Sequence, residues 1–586
     1  MRKLLKNLTK KDLLFIIICF TLIVGQVWLE LKMPEYMSKI TQMVETSGSS
    51  LKDILEQGFY MLLCAGGGLV FAIIVGYFAT YMTSNFSRNI RKIIFDKVQH
   101  FSTKEINKFS TSSLITRTTN DVTQIEMFMT FGLQVMMKAP IMAVWAIMKI
   151  LDKGFEWSLL TGGCVIILLS FIFTLISIVS PRFEKVQKLI DKINGVTREN
   201  LTGIRVVRAF NAEKFQTNRF ETVNSDLTNM QLFIQRCFAV MQPVMYIVMH
   251  GLTLGIYLIG AFLINAAGMF DKITLFSNMI VFSSYGMQVI FSFLMLAAIF
   301  VMWPRANVSA KRINEVLAEE SSIKDGKFKG KVKEVGTVEF KNVSFKYPDA
   351  DDYILNNISF KADKGETVAF IGSTGSGKST LINLIPRFYD VTDGEILIDG
   401  INVKDYKLSD LNNKIGYVPQ KAVMFTGTVA SNVSYGETDK VDISLDQVKE
   451  AVRIAQGKDF VESMEGQYEA HIARDGTNVS GGQKQRLAIA RAIARDPEIY
   501  IFDDSFSALD YKTDVSLRKE LKKHTKDATS LIVAQRIGTI INADKIVVLD
   551  NGNCVGIGTH KELLKNCDVY KEIALSQLTK EELDNA

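Results

Sequence analysis

The pattern of apolar and polar positions divides the 586-residue chain into two parts. Before Arg305, long apolar stretches alternate with charged connections, and each stretch can cross a hydrocarbon layer of roughly 30 Å as a helix. The six stretches are Leu13–Leu31, Phe59–Met82, Met129–Leu151, Trp157–Val179, Ala239–Ala266 and Ile273–Met302. The remainder has short apolar runs, and the chain is too long for one compact core. The pattern therefore predicts an all-α domain of six membrane-spanning helices and at least one further domain.

The distribution of charge predicts how these helices are oriented. Lys and Arg are concentrated in the connections after the second and fourth stretches, whereas the connections after the third and fifth are short and have no net positive charge. By the positive-inside rule, both long connections and both termini lie on the cytosolic side of the plasma membrane. Apolar residues recur at helical spacing in the long connections, so we expect helices that extend beyond the bilayer.

Charge and cysteine content exclude other classes of protein. The formal net charge of +6 comes from blocks of basic residues beside apolar runs, which favours anionic lipid as a partner and argues against nucleic acid. The basic segment Met1–Asp12 is predicted to be an interfacial helix. The six cysteines show no metal-binding or secreted spacing, so we expect reduced thiols.

The second part contains a glycine-rich phosphate-binding loop. The pattern GxxxxGK[ST] follows the buried-strand run Thr367–Ile371 and precedes an apolar helix, which is the context that this motif requires. Its backbone N–H groups approach a phosphate, Lys378 reaches the β and γ oxygens, and Ser379 ligates Mg²⁺. The predicted ligands are therefore ATP and Mg²⁺. The predicted loop residues are Gly372, Ser373, Thr374, Gly375, Ser376, Gly377, Lys378, Ser379 and Thr380.

Two further motifs lie downstream of this loop. Asp503 ends an apolar strand and is predicted to hold Mg²⁺ through water. The run Val-Ser-Gly-Gly-Gln, residues 479–483, begins a helix that ends at Pro497. The N-terminus of that helix carries free N–H groups and a positive dipole, so it favours a phosphate.

Together these motifs resemble ABC exporters of the bacterial six-span half-transporter kind, particularly subunits of heterodimeric multidrug exporters. The resemblance covers roughly Leu13 to Gln577, with Ser507–Asp510 as the D-loop and Glu199–Phe210 and Thr118–Val122 as loops that dock on the ATP-binding domains. It implies an α/β ATP-binding cassette in which Tyr347 stacks on adenine and Gln420 senses Mg²⁺ and the γ-phosphate. It also implies that the signature residues contact the ATP held by the partner. These are Ser480, Gly481, Gly482 and Gln483.

The chain departs from the family pattern at two catalytic positions. Asp504 stands where such cassettes place a Glu that polarises water, and Gln535 replaces the switch His. The shorter carboxylate is withdrawn by about one C–C bond, and such a misplacement can cost on the order of 100-fold in rate. Gln cannot carry an imidazolium charge. The sequence therefore predicts a site that binds nucleotide but hydrolyses it poorly, within a heterodimer whose partner provides the competent site. The segment Ala473-Arg474-Asp475 also departs from the usual Gly-Glu-Arg.

Domain boundaries and substrate contacts are predicted as follows. An interfacial segment at 1–12 precedes a transmembrane domain at 13–305, a linker at 306–335, an ATP-binding domain at 336–576 and a polar tail at 577–586.

Polar groups and a Met stripe inside the spans are candidates to contact a small lipophilic or amphipathic substrate, with helix packing as the alternative explanation of the stripe. The candidates are Gln26, Gln134, Met241, Gln242, Met245 and Gln288. A peptide or lipid exporter, or a regulatory ATP-binding subunit, remains an alternative because cassettes are alike across substrates.

Overall fold

A computed structural model describes residues 1–45, 50–151, 153–328, 335–348, 350–437 and 442–578. The chain forms two compact units. The first comprises Met1–Gln99 and Thr111–Glu319, and the second comprises His100–Ser110 and Glu320–Ala586. The boundary of the first unit at Glu319 means that the first part of the predicted linker belongs to the last long helix. Linker residues 329–334 and tail residues 579–586 lie outside the described residues.

The first unit is entirely helical among its described residues. Its helices are α1 (Arg2–Leu5), α2 (Lys10–Glu45), α3 (Leu51–Gln99), α5 (Thr111–Thr118), α6 (Asn120–Leu151), α7 (Phe155–Thr202), α8 (Ile204–Ala209), α9 (Glu213–Ala266) and α10 (Met269–Ala318), while α4 (Thr103–Phe109) falls in the second unit. Six of these helices are long and apolar enough to cross a membrane, which confirms the predicted spans.

The long helices extend well beyond the thickness of a bilayer. Helices α3, α7 and α9 contain 49, 48 and 54 residues. At 1.5 Å per residue each is about 70–80 Å long, more than twice the hydrocarbon thickness. The predicted helical extensions are therefore confirmed.

Polar contacts join the helices of the first unit around an apolar core. Trp157 is buried and its Nε1 donates a hydrogen bond to the carbonyl of Ile256, 3.2 Å away. The carboxylate of Glu30 accepts a hydrogen bond from Gln26 Nε2 at 2.9 Å and forms an ion pair with Lys138 Nζ at 2.7 Å. The predicted shared face of Gln26 and Glu30 is thus present, and it joins α2 to α6.

The segment that was predicted to be the first docking loop belongs to the first unit, and its docking stays a prediction. Thr118–Val122 lies at the junction of α5 and α6, where the buried Asp121 accepts a hydrogen bond from Ser309 at 2.8 Å and pairs with Arg312 at 3.3 Å. Because Ser309 and Arg312 also belong to the first unit, these contacts hold the segment within that unit.

A different part of the same connection, α4, belongs to the second unit. Ser102 and Glu105 form a capping box at its start, and Glu105 also accepts a hydrogen bond from the backbone N–H of Ser322 at 3.3 Å. Asn107 Nδ2 lies 3.4 Å from the hydroxyl of Tyr389. These contacts explain why a short helix between α3 and α5 clusters with residues that follow Glu320.

The remainder of the second unit alternates strands and helices. The strands are β1 (Val338–Phe345), β2 (Leu355–Ala362), β3 (Thr367–Gly372), β4 (Asp393–Ile398), β5 (Ile401–Asn402), β6 (Ile415–Val418), β7 (Gly427–Thr428), β8 (His471–Ile472), β9 (Ile499–Asp503), β10 (Thr529–Val533), β11 (Lys545–Asp550) and β12 (Asn553–Gly558). The helices are α11 (Lys378–Asn383), α12 (Leu408–Asn413), α13 (Val429–Val433), α14 (Leu445–Ile454), α15 (Lys458–Ser463), α16 (Gly481–Ala494), α17 (Tyr511–His524), α18 (Ile537–Ile540), α19 (His560–Asn566) and α20 (Asp568–Leu575).

One ten-stranded sheet positions the functional residues. Its order is β5-β4-β1-β2-β12-β11-β3-β10-β9-β6. Strands β3, β10, β9 and β6 run parallel, so their carboxyl ends share one edge. The centres of these strands are buried, which matches their continuous apolar runs. The predicted α/β cassette is therefore confirmed, and residues that follow these strands are brought together.

Candidate active site

The phosphate-binding loop joins the end of β3 to the start of α11. Gly375 and Gly377 have φ of 86° and 95°, in the region where residues with a side chain are strained. A Cβ at Gly377 would lie 2.7 Å from Leu355 Cδ2. Glycine is therefore required at this position for both backbone and packing reasons.

Lys378 is held against the carbonyls of its own loop. Its Nζ donates hydrogen bonds to the carbonyl oxygens of Gly372 at 2.9 Å and Ser373 at 2.7 Å. Burial lowers the pKa of Lys378, and the charges of Asp504 and Asp503 oppose that shift. The ammonium group thus lies in a partly desolvated position where a phosphate oxygen gains from its charge.

Ser379 and Asp503 form the predicted metal-binding pair. Ser379 Oγ donates a hydrogen bond to Asp503 Oδ1 at 2.9 Å, although 124 residues separate them in sequence. Burial raises the pKa of Asp503, against the hydrogen bond from Ser379. A hydroxyl and a carboxylate at this separation are hard oxygen ligands of the kind that Mg²⁺ prefers. These residues therefore fit the metal.

Asp504 is engaged by two amide side chains. Its Oδ2 accepts a hydrogen bond from Gln535 Nε2 at 2.7 Å and a longer one from Gln420 Nε2 at 3.4 Å. Asp504 follows β9, Gln535 follows β10 and Gln420 follows β6, so the parallel strands bring all three together. Burial raises the pKa of Asp504, against its hydrogen bonds and the charge of Lys378. The two positions that depart from the family pattern are thus in direct contact.

The backbone at Asp504 is left-handed, with a φ of 48°. Asp is one of the residues that adopts this region most readily. Its N–H donates to the carbonyl of Val533 at 3.0 Å, and its carbonyl accepts from the hydroxyl of Ser507 at 2.8 Å. The predicted D-loop residue Ser507 therefore fixes the backbone that carries the carboxylate.

Tyr347 lies beside the start of α11. Its hydroxyl is 3.0 Å from Thr380 Oγ1, and its ring packs edge-to-face against Phe345 and Tyr389. The side chain is half-buried. This position next to the phosphate-binding loop agrees with the predicted contact with adenine, which remains a prediction.

The signature residues form a separate cluster at the start of α16. Ser480 is the N-cap of this 14-residue helix, and it forms a capping box with Gln483. Ser480 N donates to Gln483 Oε1 at 2.8 Å, and both Ser480 and Gly481 are exposed. The helix N-terminus is therefore accessible to a phosphate outside this chain.

One buried residue near this site was missed by the sequence analysis. Gln485, 2% exposed, donates from Nε2 to the carbonyl of Pro419 at 3.3 Å, directly before Gln420. It joins the signature helix to the segment that contacts Asp504. A polar residue on the apolar face of α16 is the signal that could have identified it.

The candidate substrate residues fall into three environments. Gln26 is buried and bonded to Glu30, and Met245 and Met241 pack against apolar clusters of the first unit. Gln134 and Gln288 are half-buried, and Gln242 is exposed. Their contact with substrate remains a prediction.

Comparisons with known proteins identify the family. The model of the ABC transporter transmembrane region matches residues 15–302, and that of the ABC transporter matches residues 355–507. An uncharacterized ABC transporter ATP-binding protein of Mycobacterium bovis is 38% identical over 529 residues, which cover 89% of each chain. This chain belongs to the ABC exporter family.

Other relatives agree with this assignment. An ATP-dependent lipid A-core flippase of Escherichia coli is 31% identical to this chain over 544 residues. The match covers 90% of this chain and 91% of the flippase. The solved structure of a bacterial Atm1-family ABC exporter with ATP bound has a TM-score of 0.83. It covers 97% of this chain and 100% of its own, at 22% identity. That neighbour shows that the two chains share a fold.

Proposed function

We propose that this chain is one half of a heterodimeric exporter that uses ATP to move lipophilic or amphipathic compounds out across the bacterial plasma membrane. Its own ATP site hydrolyses ATP slowly. Its signature residues complete the partner's ATP site, which is the site that hydrolyses ATP efficiently. The alternative of a peptide exporter or a regulatory subunit has no observation in its favour.

The hydrogen bond between Asp504 and Gln535 carries this proposal. A general base must contact the water that it activates. Asp504 is shorter than the Glu of the family, and its Oδ2 is already bonded to an amide that carries no charge. Gln535 can orient a carboxylate or a phosphate oxygen but cannot supply positive charge to the transferred phosphoryl group. Both features lower the rate of hydrolysis while leaving the binding groups intact.

The remaining residues hold ATP in place. Lys378 and the N–H groups of the loop bind the phosphates, and Tyr347 contacts the adenine ring. Ser379 and Asp503, with Gln420 nearby, would hold Mg²⁺, which neutralises charge on the β- and γ-phosphate oxygens when bound. Because these groups are complete, the site retains ATP.

The signature residues act on the partner's ATP. Ser480, Gly481 and the exposed start of α16 present a hydroxyl, N–H groups and the positive end of a helix. These groups stabilise negative charge on a γ-phosphate held by the partner. ATP binding closes the two ATP-binding domains on each other. This closure and the hydrolysis at that site switch the membrane cavity from inward-open to outward-open.

The substrate is proposed to contact the inner faces of the spans. Gln134, Gln242 and Gln288 are the polar candidates that are not fully buried, and the half-buried Met241 and Met245 are the apolar ones. A few polar groups in an apolar surface suit lipophilic drugs, including amphipathic cations. A lipid is the second candidate substrate, because two relatives at 30% and 31% identity are named lipid A-core flippases. Both termini and the ATP-binding domain are proposed to be cytoplasmic.

The proposal is tested by expressing the chain with and without its partner. The full-length chain alone is expected to bind MgATP yet turn it over at least about 100-fold more slowly than the complex, because a misplaced base costs this much. Steady-state phosphate release measures turnover, and photolabelling with an azido-ATP analogue verifies binding. Robust turnover by the chain alone would overturn the proposal.

The substrate surface is tested at Gln242. Replacing it with Leu is expected to raise the half-maximal concentration of a substrate that stimulates the ATPase by about fivefold, the effect of one lost hydrogen bond. Gln231→Leu is the control, because Gln231 is also exposed on α9 but precedes the span. Unchanged stimulation for every substrate in the Gln242 variant would show that this residue is not a contact.

A further inference from the structure

A basic groove lies between α7 and α9 where these helices leave the predicted spans. It encloses about 600 Å³, and Arg182, Lys185 and Lys188 line it from α7. These residues are spaced three apart, so they lie on one helix face. They begin three residues after Val179, where the fourth apolar stretch ends. The groove therefore starts at the cytosolic surface of the membrane.

The floor of the groove is apolar and its walls carry a net positive charge. Leu189, Met230 and Phe233 contribute the apolar surface. Of the lining residues that the structure describes, Asp226 alone is negative, against three cations. Phe233 is 39% exposed, six residues before the fifth apolar stretch. Basic side chains near the end of a span, beside an apolar surface, are typical of the membrane interface.

Arg182 is held in a fixed orientation within this groove. Its Nη1 donates to the carbonyl of Ile178 at 2.6 Å, and its Cζ lies 4.2 Å from the centre of the Phe233 ring. A guanidinium group has five N–H donors, so this arrangement leaves donors for a ligand. A planar guanidinium group binds a phosphate in a bidentate manner, and the exposed Lys185 adds a second positive charge one helical turn away.

The neighbouring groove further along the same helices differs in charge. It is lined by Lys192, Glu199 and Arg219, and the last two form an ion pair at 2.8 Å. The groove next to the membrane therefore has the larger excess of positive charge, because three cations face one anion there and two cations face one anion in its neighbour.

We propose that the groove of Arg182, Lys185 and Lys188 binds the phosphodiester head group of an anionic glycerophospholipid from the inner leaflet. Arg182 and Lys185 contact the phosphate, and the ring of Phe233 contacts the glycerol and the first carbons of the acyl chain. Because the groove belongs to α7 and α9, binding requires neither ATP nor a transported substrate.

Native mass spectrometry of the full-length chain in a neutral detergent tests this site. The chain is titrated with dioleoylphosphatidylglycerol, dioleoylphosphatidylcholine or inorganic phosphate. We expect phosphatidylglycerol to bind most tightly, and the double variant Arg182→Gln, Lys185→Gln to weaken its binding by about 25-fold, or about fivefold for each basic residue removed. Lys185→Gln alone should cost about fivefold, and its side chain is exposed, so folding is not at risk.

The matched control removes two charges elsewhere at the same membrane surface. Arg88→Gln with Lys92→Gln alters α3 beyond the second apolar stretch and should change phosphatidylglycerol binding by less than about twofold. An equal loss in this control would indicate general attraction to charge and overturn the site. Equal binding of phosphatidylcholine, or competition by inorganic phosphate at equal concentration, would also overturn the assignment to an anionic lipid.

Discussion

Replacing Ser480 with Ala should reduce ATP hydrolysis by the complex by on the order of 100-fold or more, while this chain retains its own ATP. The hydroxyl lies at the exposed N-terminus of α16, where we propose that it contacts the ATP held by the partner. Loss of one preorganised group that stabilises charge in the transition state typically costs this much. Steady-state phosphate release measures hydrolysis, and photolabelling of each subunit measures binding.

Ser444 offers a close control for the loss of helix capping. It caps α14 through a capping box with Gln447, as Ser480 caps α16 with Gln483. Either substitution by Ala should cost about 1 kcal/mol of stability. Ser444→Ala should leave hydrolysis nearly unchanged. If both variants lost activity equally, capping would explain the result and the catalytic role of Ser480 would be wrong.

Replacing Lys378 with Ala should weaken ATP binding at this chain's site by on the order of 100-fold. Hydrogen bonds to a charged group contribute about 1.5–3 kcal/mol each, and this lysine is the cation of the phosphate-binding loop. Equilibrium binding of a fluorescent ATP analogue to the chain purified without its partner measures the change.

Lys545 is the control for this variant. It also donates to a backbone carbonyl, that of Lys361 at 2.6 Å, but it lies at the start of β11 rather than in the loop. Lys545→Ala should leave the dissociation constant for the ATP analogue within about twofold of that of the unmodified chain, because it removes a positive charge outside the phosphate-binding loop. Unchanged ATP binding in Lys378→Ala would contradict the role of the loop.

Sequence alone identified the strand ends that carry the chemistry. The apolar runs before Gly372 and Asp503 are continuous because these strands are buried on both faces, and their motifs place the loop and the carboxylates at the carboxyl edge. The order of the strands is set by tertiary pairing, so the contact between Asp504 and Gln535 could not be derived from the motifs. The contact forms because β10 lies beside β9 in the sheet.

Local signals mark another short helix in the same long connection, which the sequence analysis did not identify. Ser102 and Glu105 have the spacing of a capping box, which marks the start of a short helix within the long connection. Thr118–Val122 resembles the family loop, but Asp121 is committed to Ser309 and Arg312. Which segment joins the second unit depends on contacts with residues more than 200 positions away, such as Ser322.

The roles of polar residues in the spans depend on helix rotation. Gln26 and Glu30 were expected to share a face from their spacing, and their side chains are 2.9 Å apart. The same spacing gave no indication that Lys138 of α6 would pair with Glu30. The buried Gln26 donates a hydrogen bond to the carboxylate of Glu30 and thereby orients it toward Lys138.

The central claim is that Asp504 performs little of the chemistry, and one comparison of variants tests it most directly. Steady-state ATP hydrolysis is measured for the complex with Asp504→Asn and for the complex from which the catalytic Glu expected in the partner has been removed. Asn keeps the shape and can still accept the hydrogen bond from Gln535, so we expect Asp504→Asn to retain activity within about threefold. Removal of the partner's Glu should cost on the order of 100-fold or more. If Asp504→Asn were as inactive as the partner variant, this site would be a working catalyst and the account would be wrong.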